Sequence, residues 1–313
     1  MDQSIWVLGE ALMDCVAQPD GTLKPHMGGS PFNLARAAAL RGADVSFVNP
    51  LSTDNFGDQM RVQLAQDSVK TVLPASRLPT SLAVVQIKNG QPSYGFYREG
   101  IADRDYSVDQ ILTALEGLAP SSKPGVLHTG SLLLVPPEHE KVFAILKAAK
   151  KMGWTISVDV NLRPKLAPNL SQYIEAVKSI VPLADWLKAS DEDLELLGFA
   201  APSSSTLPQR SQSAEIAKHF TGLGISRLAL TFGGDGAWLQ VDSKSAEQDV
   251  PKVAVVDTVG AGDTFWGNCL GDWVLNPQDA ANRVATTLSQ AMQAAAINCT
   301  RAGCQPPKYS ELV

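Results

Sequence analysis

The chain has 313 residues, 44% of them hydrophobic and 19% charged, and its net charge is −6 from 26 Lys and Arg against 32 Asp and Glu. That length buries a full core in one large domain, or in one with a small appendage, and the composition is that of a folded protein. The negative balance argues against nucleic acid or an anionic membrane surface as the main partner, and no apolar run reaches the roughly 18 residues of a membrane span.

In chain order, residues 4–9 (Ser-Ile-Trp-Val-Leu-Gly) read as a buried opening strand. Residues 14–27 read as extended, with a polar turn at Pro19-Asp20-Gly21. A helix follows at 32–41: Ser30 caps it, Pro31 suits its first position, and Gly42 stops it. Strands are predicted at 43–50, 155–160, 186–189, 227–232 and 252–256. Helices are predicted at 171–181, 191–197, 214–220, 263–275 and 279–299. Strands alternating with helices predict an α/β domain around a mostly parallel sheet, with ligands beyond the carboxyl ends of its strands. Residues 81–98, with an Asn89-Gly90 turn, break that alternation as 14–27 do, and the two segments are expected to pair as a small separate sheet. The Pro- and Ser-rich stretch 200–213 reads as an exposed loop.

Cys15, Cys269, Cys299 and Cys304 form no CxxC pair and read as separate thiols. The histidines include no HExxH, and Met1-Asp2-Gln3-Ser4 lacks the basic region of a signal peptide. The expectation is a soluble, cytoplasmic protein without structural zinc. His26 and His139 read as solvated, and Trp266 as packing between helix and sheet.

The most specific chemical signal is Asp257-Thr258-Val259-Gly260-Ala261-Gly262-Asp263-Thr264-Phe265. Small residues at a helix start let backbone N–H groups approach an anion, and the helix N-terminus adds partial positive charge. Asp263 at the mouth of such a site is electrostatically unwelcome beside a phosphate unless it has a task, and accepting a proton from an attacking hydroxyl is one. A glycine turn with an Asp stabilising the helix start is the alternative reading. A second signal is Gly28-Gly29-Ser30-Pro31-Phe32-Asn33, a Gly pair before a helix with an amide able to donate and accept toward a sugar hydroxyl. No GxxxxGK[ST], GxGxxG or GxSxG signature is present to support a P-loop enzyme, a dinucleotide oxidoreductase or an α/β-hydrolase.

Together these motifs resemble the two signatures of the ribokinase-like (PfkB) sugar kinases. Gly28-Gly29 with Asn33, Ala35 and Gly42 is similar to the first, and Asp257 to Asp263 with Phe265 and Gly267 to the second. Further matches are Gly9-Glu10-Ala11-Leu12 with Asp14, Phe96-Tyr97-Arg98 with Ala102-Asp103, His128 to Leu132, Asp159 to Pro164, and Thr231 to Gly236. The subgroup most resembled is fructokinase.

The resemblance implies a three-layer α/β/α fold with a β-sheet lid, the main domain spanning 1–13, 28–80 and 106–313 and the lid 14–27 and 81–105. It implies that Asp263 is the base and that Gly260, Ala261 and Gly262 cradle the transferring phosphoryl. Asp14, Gly28, Gly29, Asn33, Phe96 and Arg98 would hold the sugar, with Asn161 and Arg163 near the phosphates. Lys188, Ser190, Thr231, Gly233, Gly234, Gly236 and Asn298 would line ATP. Asp193, Asp257 and Val259, with the 301–303 region, are the implied metal positions, for Mg2+ and for a monovalent cation such as K+. Ser190-Asp191-Glu192-Asp193 departs from the family's Asn-x-x-Glu but keeps oxygen ligands for a hard cation. A homodimer through the lid is implied too. The rival readings are a 2-keto-3-deoxygluconate or riboside kinase of the same family, and a silent sugar- or nucleotide-binding regulator.

Overall fold

Side chains on a strand alternate between faces. In β1 (Ile5–Val7), Ile5 and Val7 pack into one apolar core while Trp6 packs into another. A strand buried on both faces belongs at the middle of a sheet covered twice. The computed structural model, which describes residues 3–18, 20–88, 91–117, 124–199 and 208–312, has that architecture.

After β1 come β2 (Leu12–Ala17), β3 (Leu23–Gly28), α1 (Ser30–Leu40), β4 (Val45–Phe47), α2 (Asn55–Gln66), β5 (Val69–Thr71), β6 (Ser81–Lys88) and β7 (Gln91–Tyr97). Then follow α3 (Val108–Glu116), β8 (Val126–Gly130), α4 (His139–Lys151), β9 (Thr155–Asp159), α5 (Leu170–Ile180), β10 (Trp186–Ser190), α6 (Asp191–Leu197) and α7 (Ser213–Gly222). The chain continues through β11 (Arg227–Thr231), β12 (Ala237–Val241), β13 (Lys244–Gln248), α8 (Ala261–Leu275) and α9 (Val284–Cys299).

The large sheet has the order β13-β12-β11-β10-β9-β8-β1-β4-β5 and is parallel except for β12 and β13. Helices α1, α2, α8 and α9 share one apolar core, and α3 to α7 share the other. The chain leaves β1 toward β4 and β5, then returns to β8 on the other side. That reversal beside β1 opens a crevice at the carboxyl ends of the strands. The second sheet, β3-β2-β6-β7, pairs β2 with β6 in parallel and the other neighbours antiparallel. Its Leu12 and Ala83 pack on Leu132, with Phe96 and Leu166 against them.

Two helices fix the site. A Cβ on Gly267 of α8 would stand 2.8 Å from both Ala37 Cβ and the Leu34 carbonyl of α1. Only glycine lets the two backbones come this close. One helix turn further on, Arg41, the residue that caps α1, donates to Asp272 of α8 at 2.6 Å, in a pair almost wholly removed from water. Asp272 also accepts from Arg283 Nη2 at 2.9 Å and Thr287 Oγ1 at 2.6 Å. Burial opposes its ionisation, but these donors outweigh it and hold the carboxyl below its usual range.

The predicted α/β alternation and the separate small sheet are present, with strand and helix ends shifted by a few residues. Residues 279–283 precede α9 as turn, and α7 begins at Ser213. The expected strand at 252–256 is absent. Val253, Val255 and Val256 are exposed, and the N–H groups of Val256 and Asp257 donate to the carbonyl of Cys299 instead of to a strand. The apolar run imitates a strand, but among the described residues no strand pairs with it to complete a ladder. The Asn89-Gly90 turn, Pro19 and residues 200–207 of the expected loop lie outside the described residues. Trp266 packs as expected between helix and sheet, its Nε1 donating to Ser157 Oγ at 3.2 Å.

Removing one partner of a buried pair leaves the other charge uncompensated, at a cost of about 3–5 kcal/mol. Asp272→Ala should therefore lower the unfolding free energy by about that much, read by urea titration.

Candidate active site

The first turns of α1 and α8 meet at the crevice. Gly29, at φ 104, precedes α1, a backbone angle that suits glycine alone. Ser30 is not the cap expected from sequence. Gly29 holds that position, and the Ser30 hydroxyl instead donates to Asp263 Oδ1 at 2.7 Å. Asn33, one turn on, donates through Nδ2 to Asp263 Oδ2 at 2.9 Å. The Asn33 Oδ1 is buried with no partner, an acceptor held ready for a ligand hydroxyl. The Ser30 N–H donates at 3.3 Å to Glu10, the residue after the β1 turn.

Asp14 on β2 lies on the same side. A Cβ at Gly28 would strike its Oδ2 at 2.2 Å, so Gly28 leaves the room that carboxylate occupies. Burial pushes Asp14 up to about 6. Arg163 opposes that shift, and Asp263 and Asp257 add to it. Phe96 packs over Leu132 from the second sheet. Arg98 follows β7. Its Nη1 reaches the Leu132 carbonyl at 3.5 Å, and its Nε and Nη2 are buried without a partner. The field of Arg98 falls on both Glu10 and Asp103.

On the other side of Asp263 lies the Gly-Ala-Gly turn. Gly260, at φ 74, starts α8, and a Cβ there would meet Cys304 Sγ at 2.2 Å. Ala261 and Gly262 are half-buried. A Cβ on Gly262 would lie 3.4 Å from Lys188 Nζ. That ammonium is buried beneath the turn and bonded to both oxygens of Asp159, at 2.9 and 3.0 Å. Burial pulls Lys188 down, but Asp159, Asp193 and Asp263 outweigh it and hold the ammonium charged. Thr231 ends β11, with Gly233, Gly234 and Gly236 in the turn that follows on the same edge of the sheet. Asn161, past the end of β9, accepts from Arg163 Nη1 at 2.6 Å, and Arg163 is exposed toward the crevice mouth.

Three expected ligands make hydrogen bonds within the chain. Asn298 is wholly buried, donating to the Val259 carbonyl and accepting from Gln305 N–H, each at 2.8 Å. Asp193 accepts from Leu162 N–H at 2.7 Å and from Ser190 N–H and Oγ at 2.8 Å. It forms a capping box with Ser190 at the start of α6. Asp257 accepts from Val259 N–H at 3.0 Å and Gly303 N–H at 2.8 Å. These bonds tie the anion turn to the chain's last segment. Arg301 pairs with Glu311. Among the described residues no cluster of three His, Cys, Asp or Glu is placed to hold a metal.

Sequence reasoning missed the tasks of Ser30, Glu10 and the Asp159–Lys188 pair. Glu10 had a signal: it is a carboxylate inside the apolar run Ile5 to Leu12. It is 1% exposed, and its Oε2 has no partner. Burial drives it from 4.5 up to about 7, against the pull of Arg98. The folded chain therefore holds a proton here that the unfolded chain releases. The stability this contributes is full below about 4.5 and lost as pH rises through about 7. Glu10→Gln removes the buried charge. It should raise the Tm of the ligand-free protein by a few degrees at pH 8 and hardly at pH 5, measured by calorimetry.

A base-like carboxylate between an unpartnered polar pocket and an anion turn suits phosphoryl transfer to a hydroxyl, and the comparisons with known proteins agree. The chain is 29% identical to a fructokinase of Rhizobium leguminosarum bv. trifolii, over 91% of this chain and 84% of that one. It is 33% identical to fructokinase-2 of Zea mays, over 84% and 77%. The crystal structure of a fructokinase from Xylella fastidiosa with bound ATP superposes with a TM-score of 0.81 at 26% identity, covering 100% of this chain and 98% of that one. The family model described as pfkB family carbohydrate kinase matches residues 2–311. The chain therefore belongs to the pfkB family of carbohydrate kinases.

Proposed function

We propose that this protein is a fructokinase: it transfers the γ-phosphoryl group of ATP to the primary hydroxyl of fructose, giving fructose 6-phosphate and ADP. The observation that carries the reading is Asp263, 8% exposed, held by Ser30 and Asn33 at the mouth of the Gly260–Gly262 turn. The fructokinase relatives favour fructose over 2-keto-3-deoxygluconate or a riboside.

Asp14, Asn33 and the backbone at Gly28 and Gly29 hold the sugar from one side. Phe96 and the two unpartnered donors of Arg98 close on it from the second sheet, which acts as the lid. Asp263 takes the hydroxyl proton as the oxygen attacks phosphorus. The N–H groups of residues 260–262 at the start of α8, with the Lys188 ammonium beneath, neutralise the charge that develops on the phosphoryl oxygens. Thr231, Gly233, Gly234 and Gly236 take the nucleotide, with Asn161 and Arg163 near its phosphates.

A magnesium ion fits as a passenger on the nucleotide, since no carboxylate cage is built for it among the described residues and Mg2+ ordinarily keeps its waters and substrate phosphates as ligands. When bound, it would screen phosphate charge, with Asp193, steadied by Ser190, acting on its water shell. The Asp257 carboxylate and the Val259 carbonyl are the oxygen donors a monovalent cation such as K+ would take, and no step is assigned to one. A cytoplasmic location, where ATP is at hand, is part of the same reading. Leu23 and Tyr97, exposed on the second sheet, suit a homodimer through the lid.

ADP release measured over a panel of sugars should be largest with fructose. Asp263→Asn should lose about 10²–10⁴ in kcat, the range for a general base, while ATP still binds by calorimetry. Near wild-type turnover in that variant would overturn the assignment. Truncating Phe96 and Arg98 together to Ala should weaken fructose much more than ATP in the same calorimeter. Equal losses would remove the second sheet from the sugar site.

A further inference from the structure

We propose that Ser30 is a positioning residue for the base: its hydroxyl locks one oxygen of Asp263 so that the other is the one presented to the sugar. The proposal rests on the reading of Asp263 as base and adds a residue that reading does not require.

The two donors to Asp263 are not equivalent. Ser30 meets Oδ1 at 2.7 Å, and Asn33 meets Oδ2 at 2.9 Å. Asn33 is half satisfied. Its Oδ1 is buried without a partner, so the amide gains a bond by moving onto a sugar hydroxyl. A shift of the amide toward that hydroxyl would leave Oδ2 open to the incoming proton.

Ser30 has no such alternative. It is the first residue of α1, and its N–H is fixed on Glu10 Oε1 at 3.3 Å. Glu10 is itself fully enclosed behind it. Pro31 follows, seated on Gly9, where a Cβ would come within 2.0 Å of its ring. The serine backbone is thus pinned on both sides, and the one soft torsion left is χ1, which the bond to Oδ1 satisfies. A carboxylate held at one oxygen by a donor that cannot leave is held in rotation as well. A base that must meet a hydroxyl within hydrogen-bond reach, in line with a phosphorus atom, needs that restraint. Sequence alone suggests a helix cap for Ser30, but the cap is Gly29, so the hydroxyl is free for this second task.

The test is a double-mutant cycle on steady-state kinetics with fructose and ATP. Ser30→Ala should lower kcat about tenfold, the size of a lost hydrogen bond to a charged group, with both KM values within about twofold of wild type. In an Asp263→Ala background the same substitution should change the residual rate by less than about twofold, because its partner is gone. Ser30→Thr, which keeps a hydroxyl, should restore most of the rate. Wild-type kcat in Ser30→Ala, or an equal loss in both backgrounds, overturns the proposal while leaving Asp263 as base. Near wild-type turnover in Asp263→Ala overturns both. A loss confined to KM would make Ser30 a sugar contact instead, and also overturns it.

Discussion

The close crossing of α1 and α8 is the constraint on which the site depends. Gly267 sits where any Cβ would press on Ala37 and on the Leu34 carbonyl, so the helices meet backbone to backbone. The Arg41–Asp272 pair then ties them one turn further along. Their first turns are thereby brought within hydrogen-bond distance, and every polar contact to Asp263 follows from that approach. A helix pair held apart by ordinary side chains would sit about 8–10 Å apart, too far for a serine to reach across. Packing at buried residues one and two turns below thus sets the geometry of the carboxylate at the surface of the crevice.

Burial is the second organising force. Glu10, Asp14, Asp103 and Asp159 are all pushed above the ordinary carboxylate range, and in each case loss of water is the largest cause. Such groups cost stability unless something compensates them. Asp159 has Lys188 bonded to both its oxygens. Asp103 has the fields of Arg98 and Arg104, and the outer oxygen of Glu10 has no partner and feels Arg98 only across a gap. A protein selected for stability alone would replace these with apolar side chains. Their presence around one crevice marks it as a place where polar groups wait for a ligand.

Much of this was legible in the residues. The α/β alternation, the stray extended segments that became the second sheet, and the Gly-Ala-Gly-Asp turn all follow from periodicity and from what small residues permit. Local reasoning failed where a side chain has two possible partners. Ser30 before Pro31 is an ordinary capping sequence, and only the fold reveals that an aspartate 233 positions away claims its hydroxyl. Nothing local in the sequence shows that α9 turns Asn298 inward to donate to the Val259 carbonyl. Val253 to Val256 have strand composition, but a ladder needs a neighbour, and no described strand pairs with them. In each case the missing information is a contact distant in sequence.

On the proposed reading the arrangement also gives the two substrates separate approaches. Asp263 stands between the pocket under the second sheet, lined by Asn33 and Asp14, and the half-exposed turn at 260–262. In the proposed reaction the sugar hydroxyl would meet both Asp263 and the phosphorus held at the turn, with the attacking and leaving oxygens in line at phosphorus. The sugar side is roofed by Phe96 and Leu12, whereas the Thr258–Val259 approach to the turn is open to solvent. Water reaching the base from the sugar side would compete for the phosphoryl group. In that reading, a lid over the sugar side with an open path on the nucleotide side would exclude water where it would do harm and leave the path for ATP and ADP free.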